Sequence, residues 1–178
     1  MLLEQAFHLK KSQVEFNWLS SNFFSFLNNI DLSQPWDFKF NLLLYSSNVG
    51  GQYSIIIGKG AGQTGTAICW NMIMGFEAGY AGSITGKYNT IIGMQAGCDV
   101  TSGEYNTLLG HCAGTNLTTG DDNVMIGRGA GQAGTVTGNQ NVFIGRYAGN
   151  NGTSGQYNVF FGKNAGCSNT SGHCNIAI

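Results

Sequence analysis

The chain has 178 residues and a formal charge of −1 from 8 basic and 9 acidic side chains, which gives no electrostatic basis for binding nucleic acid, an acidic substrate or an anionic membrane. Its hydrophobic content of 42% suffices for a core and argues against wholesale disorder, whereas its charged fraction of 10% is far below the quarter or so usual in soluble domains. Solubility must come from Gly, Ser, Thr, Asn and Gln instead.

No run of eighteen apolar residues occurs, so membrane insertion is not expected. Glu4, Gln5, Lys10 and Lys11 interrupt the N-terminus where a secretory signal needs its apolar stretch, so no signal peptide is expected either. The five cysteines (Cys69, Cys98, Cys112, Cys167 and Cys174) are odd in number and form no CxxC pair, which argues against a disulfide framework or a structural zinc site.

In chain order, a composition step divides the sequence at about residue 49. All 28 glycines lie at or after Gly50, while the single Pro35, Trp18, Trp36 and seven of the 11 Phe lie before it. Within 1–49, Leu19, Phe23, Phe26, Leu27 and Ile30 follow helical spacing, and Phe38, Phe40, Leu42 and Leu44 alternate as a strand does. This non-repeat segment reads equally as a cap over the first turn of the repetitive segment or as a docking plug, and Asp37 permits a degenerate opening turn.

Residues 50–178 repeat. With anchors at Ser54, Asn71, Asn89, Asn106, Asn123, Asn141, Asn158 and Asn175, the spacing is 17 or 18 residues throughout. Gly stands four residues after each of the first seven anchors and Ala-Gly seven and eight after; Gly also stands three residues before each anchor except at Ile68. The consensus is G-x-x-N-x-Φ-Φ-G-x-x-A-G, with Φ apolar, succeeded by a Thr/Ser-rich link.

The Φ-Φ pair, often β-branched or aromatic and bounded by Gly, marks a short strand. Gly every few residues excludes a helix at about 1 kcal/mol each relative to Ala. Repeated Gly marks corners or close backbone approaches, and repeated Ala a cramped site. One such unit cannot bury its apolar face alone, so copies must stack at about 4.8 Å each, giving eight copies a length of about 38 Å. The expected fold is therefore all-β, a β-solenoid or β-helix rod. Stacking turns Asn71, Asn89, Asn106, Asn123, Asn141, Asn158 and Asn175 into an amide ladder, puts the Φ column inside, and leaves Lys59, Glu77, His111, Arg128, Arg146 and Lys163 at a solvated corner.

The unit Asn89-Thr90-Ile91-Ile92-Gly93-Met94-Gln95-Ala96-Gly97 resembles the repeats of bacteriophage tail-fibre and tail-spike shafts, and is similar to the S-V-A-I-G repeats in the heads of trimeric autotransporter adhesins. The resemblance covers roughly residues 50–178. It implies a homotrimeric rod at a virion or extracellular surface, whose work is reach and attachment. The repeat is longer than that of the adhesin heads, and no self-cleaving chaperone domain of the kind that often ends tail fibres is present. Because Asn175-Ile176-Ala177-Ile178 stops inside a repeat, the chain is expected to be a piece of a longer fibre or to be capped by a partner.

Chemical candidates are few. His111-Cys112 and His173-Cys174 fall at different repeat phases, and Cys98 and Cys167 share a phase but lie about 19 Å apart by the stacking distance. No motif places a nucleophile with a base, a pair of carboxylates or a metal-ligand set, so neither catalysis, a metal nor a cofactor is expected. Tyr53, Trp70, Tyr88, Tyr105 and Tyr157 precede their anchors as a file that either stacks on itself or offers ring faces to a cell-surface glycan. A second file, Thr85, Ser102, Thr119, Thr137, Ser154 and Ser171, presents hydroxyls either as turn residues or as an ice-binding plane. The expected function is a structural or adhesive fibre shaft; the alternative is a single-chain solenoid that binds glycan or ice along a regular face.

Overall fold

The chain divides into two units, Met1–Phe40 and Asn41–Ile178. The computed structural model describes residues 53–65, 68–81, 83–134 and 136–178, all within the second unit. The helix, strand and cap or plug read from residues 1–49 lie outside the described residues.

Eight short strands form one sheet: β1 Ile55–Ile57, β2 Met72–Met74, β3 Thr90–Ile92, β4 Thr107–Leu109, β5 Val124–Ile126, β6 Val142–Ile144, β7 Val159–Phe161 and β8 Ile176–Ala177. They pair in sequence order, all parallel, with each repeat position opposite its counterpart. There is thus one strand per turn of an all-β solenoid, and no helix among the described residues. Each turn, or rung, lends its hydrogen bonds to its neighbours: the N–H of Met72 donates to the Asn89 carbonyl at 2.9 Å, and that of Gly75 to the Ile57 carbonyl at 2.8 Å.

The strands end where glycine changes the chain's direction. Gly58, Gly75, Gly93, Gly110, Gly127, Gly145 and Gly162 have φ between 124° and 136°, and for all but the last a Cβ would collide with the corner glycine of the next rung. The turn then closes from the Ala N–H back to the corner carbonyl, at 3.2 Å for Ala61 and Ala113. These alanines are wholly buried from Ala61 to Ala148, so the cramped site expected of them is real.

The core differs from the sequence reading in two respects. First, only one of each Φ-Φ pair points inward. Ile73, Ile91, Leu108, Met125, Phe143 and Phe160 are buried, whereas the next residue, as in Leu109 and Phe161, faces out. A strand alternates its faces, so two consecutive apolar residues cannot share one interior.

Second, the links are not simply polar. Each of five supplies one buried apolar side chain, Ile68, Ile84, Val100, Leu117 or Val136. In the 17-residue turns of β3 and β4 this residue stands eleven after the anchor; in the 18-residue turns of β2 and β5 it stands thirteen after. The longer loop still delivers it to the same column, as the parallel bridge between Leu117 and Val136 shows. The turns of β6 and β7 lack such a residue, having Gly152 and Asn169 instead. Phe143 and Phe160 fill that space, stacked at 5.1 Å and 6° between planes, and leave a cavity of about 10 Å³, barely one water's worth.

Adjacent leucines test the in-out assignment. In dilute solution, Leu108→Ala should lower the denaturant-derived stability by about 2–5 kcal/mol, while Leu109→Ala should stay within about 0.5 kcal/mol.

Candidate functional site

Three longitudinal files of side chains run along the described solenoid: the amide ladder inside, the aromatic file beside the strands, and the corner file after them.

The residue before each anchor is in the left-handed region, with φ between 56° and 62° from Tyr53 to Cys174. Its own N–H still bonds the preceding rung, as from Tyr88 to the Trp70 carbonyl at 2.9 Å. The sharp turn at this point leaves the anchor's N–H without a main-chain acceptor, and the asparagine of the preceding rung supplies one. The Asn89 N–H donates to Asn71 Oδ1 at 2.8 Å, and the same contact recurs for Asn106, Asn123, Asn141, Asn158 and Asn175 at 2.9–3.1 Å. Ser54 plays the part at the first rung, its hydroxyl accepting from the Asn71 N–H at 3.1 Å.

The side-chain amide nitrogens are spent as well. Asn123 Nδ2 donates to Asn106 Oδ1 at 3.2 Å and to the Gly138 carbonyl at 3.0 Å, and Asn141 does likewise to Asn123 and Gly155. These asparagines are buried from Asn71 to Asn158. Their polar atoms are taken up inside the stack, so the ladder offers nothing to a ligand.

The aromatic file stacks on itself. Tyr53 and Trp70 lie 4.3 Å apart, Trp70 and Tyr88 6.0 Å, and Tyr88 and Tyr105 4.9 Å between ring centroids. Left-handed backbone swings each ring outward; Tyr53 with Trp70 and Tyr88 with Tyr105 stack face to face, Trp70 and Tyr88 meet tilted by 36°, and all four rings stay exposed. Sugar stacking uses ring faces, and in each stacked pair one face of each ring is already taken. Tyr157 is separated from them by Asp122 and Gln140 and is exposed.

At the corner, Arg128 and Arg146 both lie over the Tyr147 ring, at 5.4 and 5.1 Å from its centroid. Gln95 Nε2 donates to Glu77 Oε2 at 2.9 Å, and the Cys112 thiol sits 3.7 Å from Gln95 Oε1 and 3.4 Å from His111 Nε2. The thiol is buried and the imidazole exposed, but they are sequence neighbours at the surface of a stack, with no third group orienting the ring among the described residues. His173 lies on the other side of the strand, where its Nδ1 accepts from the Gln156 N–H at 3.2 Å. No group of three or more metal-ligating side chains occurs among the described residues, and no helix there is long and apolar enough to cross a membrane.

Hydroxyls of the links bond along the stack. In the file read from the sequence, Thr85 and Thr137 donate to the carbonyls of Thr101 and Thr153 at 3.5 Å. Beside that file, Thr101 Oγ1 donates to the Thr118 carbonyl at 2.9 Å and Thr153 Oγ1 to that of Thr170 at 2.8 Å. All five cysteines are free thiols.

Comparison of the chain with known proteins finds no matching family model, no matching curated protein and no matching solved structure.

The ladder and the thiols can each be tested. Asn123→Leu should orphan the Asn141 N–H and the Gly138 carbonyl and cost about 1–3 kcal/mol for each in equilibrium unfolding. Burial pushes the Cys98 thiol above its ordinary 9.0, and the Asp99 carboxylate adds to the rise. Folding therefore favours the protonated thiol, a contribution present below pH 9.0 that fades as pH climbs through the raised value. In alkylation coupled to peptide mapping at about pH 8, where the thiolate is the reactive form, exposed Cys174 should react well before Cys98.

Proposed function

We propose that this chain is a non-enzymatic structural or adhesive fibre shaft, a tail-fibre-like or adhesin-like rod at a virion or extracellular surface that projects an attachment site. The observation that supports it is the rung-to-rung accounting. From β1 to β8 the strands and the asparagine ladder bond each rung to its neighbours, over about 34 Å at the usual strand spacing. A stack built this way can hold what lies at its two ends at a fixed distance and rotation.

The mechanism is passive. Parallel ladders, the amide file and the apolar column make a stiff spacer, and specificity belongs to its ends or to one face. In this reading the working unit is a homotrimer of such rods. Because each chain encloses its own core, the trimer would form by lateral association of finished rods and not by sharing one interior.

The second reading, a single-chain solenoid that binds glycan or ice, draws on that same closed core. Against it stand the self-stacked rings and the threonines bonded along the stack.

A spacer can be lengthened. Duplicating the two rungs Asn89–Asp122 in place should extend the particle by about 9.6 Å in small-angle scattering and leave the melting midpoint equal or higher, as nearest-neighbour stacking requires. A melt that falls, or a length that does not change, would count against the shaft. Replacing Tyr88 and Tyr105 with Ala should cost about 0.5–1.5 kcal/mol per lost stacked pair with no change in retention on immobilised glycans; lost retention in a folded variant would favour the second reading.

A further inference from the structure

We infer that the outer face of the sheet is the surface through which copies of this chain associate, side by side, parallel and rung against rung. The first and third residue of each strand form two outward files. Together these hold no charged side chain from β1 to β8, and their polar members are Thr90 and Thr107 alone. The third-position file, with Met74, Ile92, Leu109, Ile126, Ile144 and Phe161, is apolar without exception, and Leu109 and Phe161 are 42% and 55% exposed.

A solvent-facing file in a water-soluble sheet is ordinarily polar. The apolar strip here is about 34 Å long and about 10 Å wide, some 340 Å², and the exposed rings of Tyr53, Trp70, Tyr88 and Tyr105 extend it on one side. That is as large as the biggest apolar patch on many single chains, a feature often functional, and on the scale of a small interface, below the roughly 800 Å² that each partner contributes to a standard one.

The period selects the occupant. A partner that seats against these files along their whole length must itself repeat every 4.8 Å or so. It must also absorb the two longer rungs, which change loop length without breaking strand register. A second copy of this chain meets both conditions, since its own files carry the same period and the same irregularities.

Charge selects the orientation. The flank preceding the strands carries Lys87 at the rung of β3, Glu104 at that of β4 and Asp121 and Asp122 at that of β5. The flank beyond them carries Lys59 and Glu77 at the rungs of β1 and β2, and His111, Arg128, Arg146 and Lys163 at those of β4 to β7. Copies related by rotation about an axis along the rod bring the far flank of one against the preceding flank of the next at equal height. Arg128 then meets Asp122, and His111 meets Glu104. Copies running in opposite directions would set each flank against itself, with Arg128 beside His111 and Glu104 beside Asp121 and Asp122, against one favourable meeting of Glu77 with Lys163. Parallel association is thus the arrangement the charges favour, and two or three copies can close around such an axis.

This interface deepens the proposed shaft but does not need three chains, and the test separates the two. The full-length chain, in reductant, is weighed by light scattering across a concentration series. The expected mass is a multiple of 18.9 kDa, and Leu109→Lys with Ile144→Lys, two rungs apart, should bring it to one chain with unchanged circular dichroism and melting midpoint. Arg128→Glu should weaken association by about tenfold or more, and adding Asp122→Arg should restore it.

A threefold mass that ignores the Leu109 and Ile144 changes would leave a trimer standing and overturn this interface. A twofold mass abolished by them would keep the interface and remove the trimer. A wild-type monomer across the whole concentration series would overturn the inference, and more plainly so if the lysine changes lowered its melting midpoint, as they would were the face covered by the chain's own residues. Failure of Asp122→Arg to rescue Arg128→Glu would overturn the parallel alignment.

Discussion

The hydrogen bond from one anchor's backbone N–H to the asparagine oxygen of the rung before it is the contact on which the rest of the stack depends. A one-strand-per-turn coil must bend sharply just before each strand, and here it bends through a left-handed residue at every rung. That bend removes the next amide from the main-chain ladder. A buried amide without an acceptor is costly, and only a short side chain with an oxygen at the right reach can repair it from 4.8 Å or so away. Asparagine does so and then uses its own Nδ2 to satisfy the glycine carbonyl of the link. Serine at position 54 offers the oxygen without the amide, and there the hydroxyl donates to the Ile68 carbonyl at 3.1 Å instead.

Everything else is arranged so that neighbouring rungs keep that reach. The corner glycines lie so close to one another that a methyl group would force the rungs apart. The longer links place their extra residue away from the strand, which is why strand register survives the change from 17 to 18 residues. Core volume is balanced within this constraint: rungs with an Ile, Leu or Val in the link carry Ile, Leu or Met in the strand, and rungs without one carry Phe. Filling a fixed cross-section in two ways is what close packing demands when the backbone cannot adjust.

Much of this was legible in the sequence because the same constraint acts at every rung. Strand positions, corner glycines, the tight alanine and the asparagine file recur at fixed phase and could be read directly. The link side chains Ile84, Val100, Leu117 and Val136 were missed because their offset shifts by two residues between short and long turns, which hides a single apolar residue among Thr, Ser and Gly. The outward direction of Ile92, Leu109 and Ile144 was missed for a different reason. Two adjacent apolar residues look like one buried run, and only the alternation of a formed strand separates them. The aromatic file was visible as a file, but the facing of its rings is set by the left-handed backbone beneath it, which composition does not announce.

Stacking also accounts for the scarcity of charge. A charged residue repeated at one phase would stand about 4.8 Å from its copy, a separation at which like charges repel by about 1 kcal/mol even in water. Every added rung of the same charge would add another such repulsion. The corner position varies over most of the rod, from Lys59 through Phe76, Met94 and His111, before Arg128, Arg146 and Lys163 follow at three successive rungs. In that cationic run the Tyr147 ring lies under both the Arg128 and the Arg146 guanidinium, at 5.4 and 5.1 Å. Where two acids become neighbours, Asp121 is held by accepting the Glu104 N–H at 2.8 Å. A stacked repeat thus excludes the uniform charged surface that keeps most proteins apart in water, and with it the simplest means of preventing lateral contact between rods.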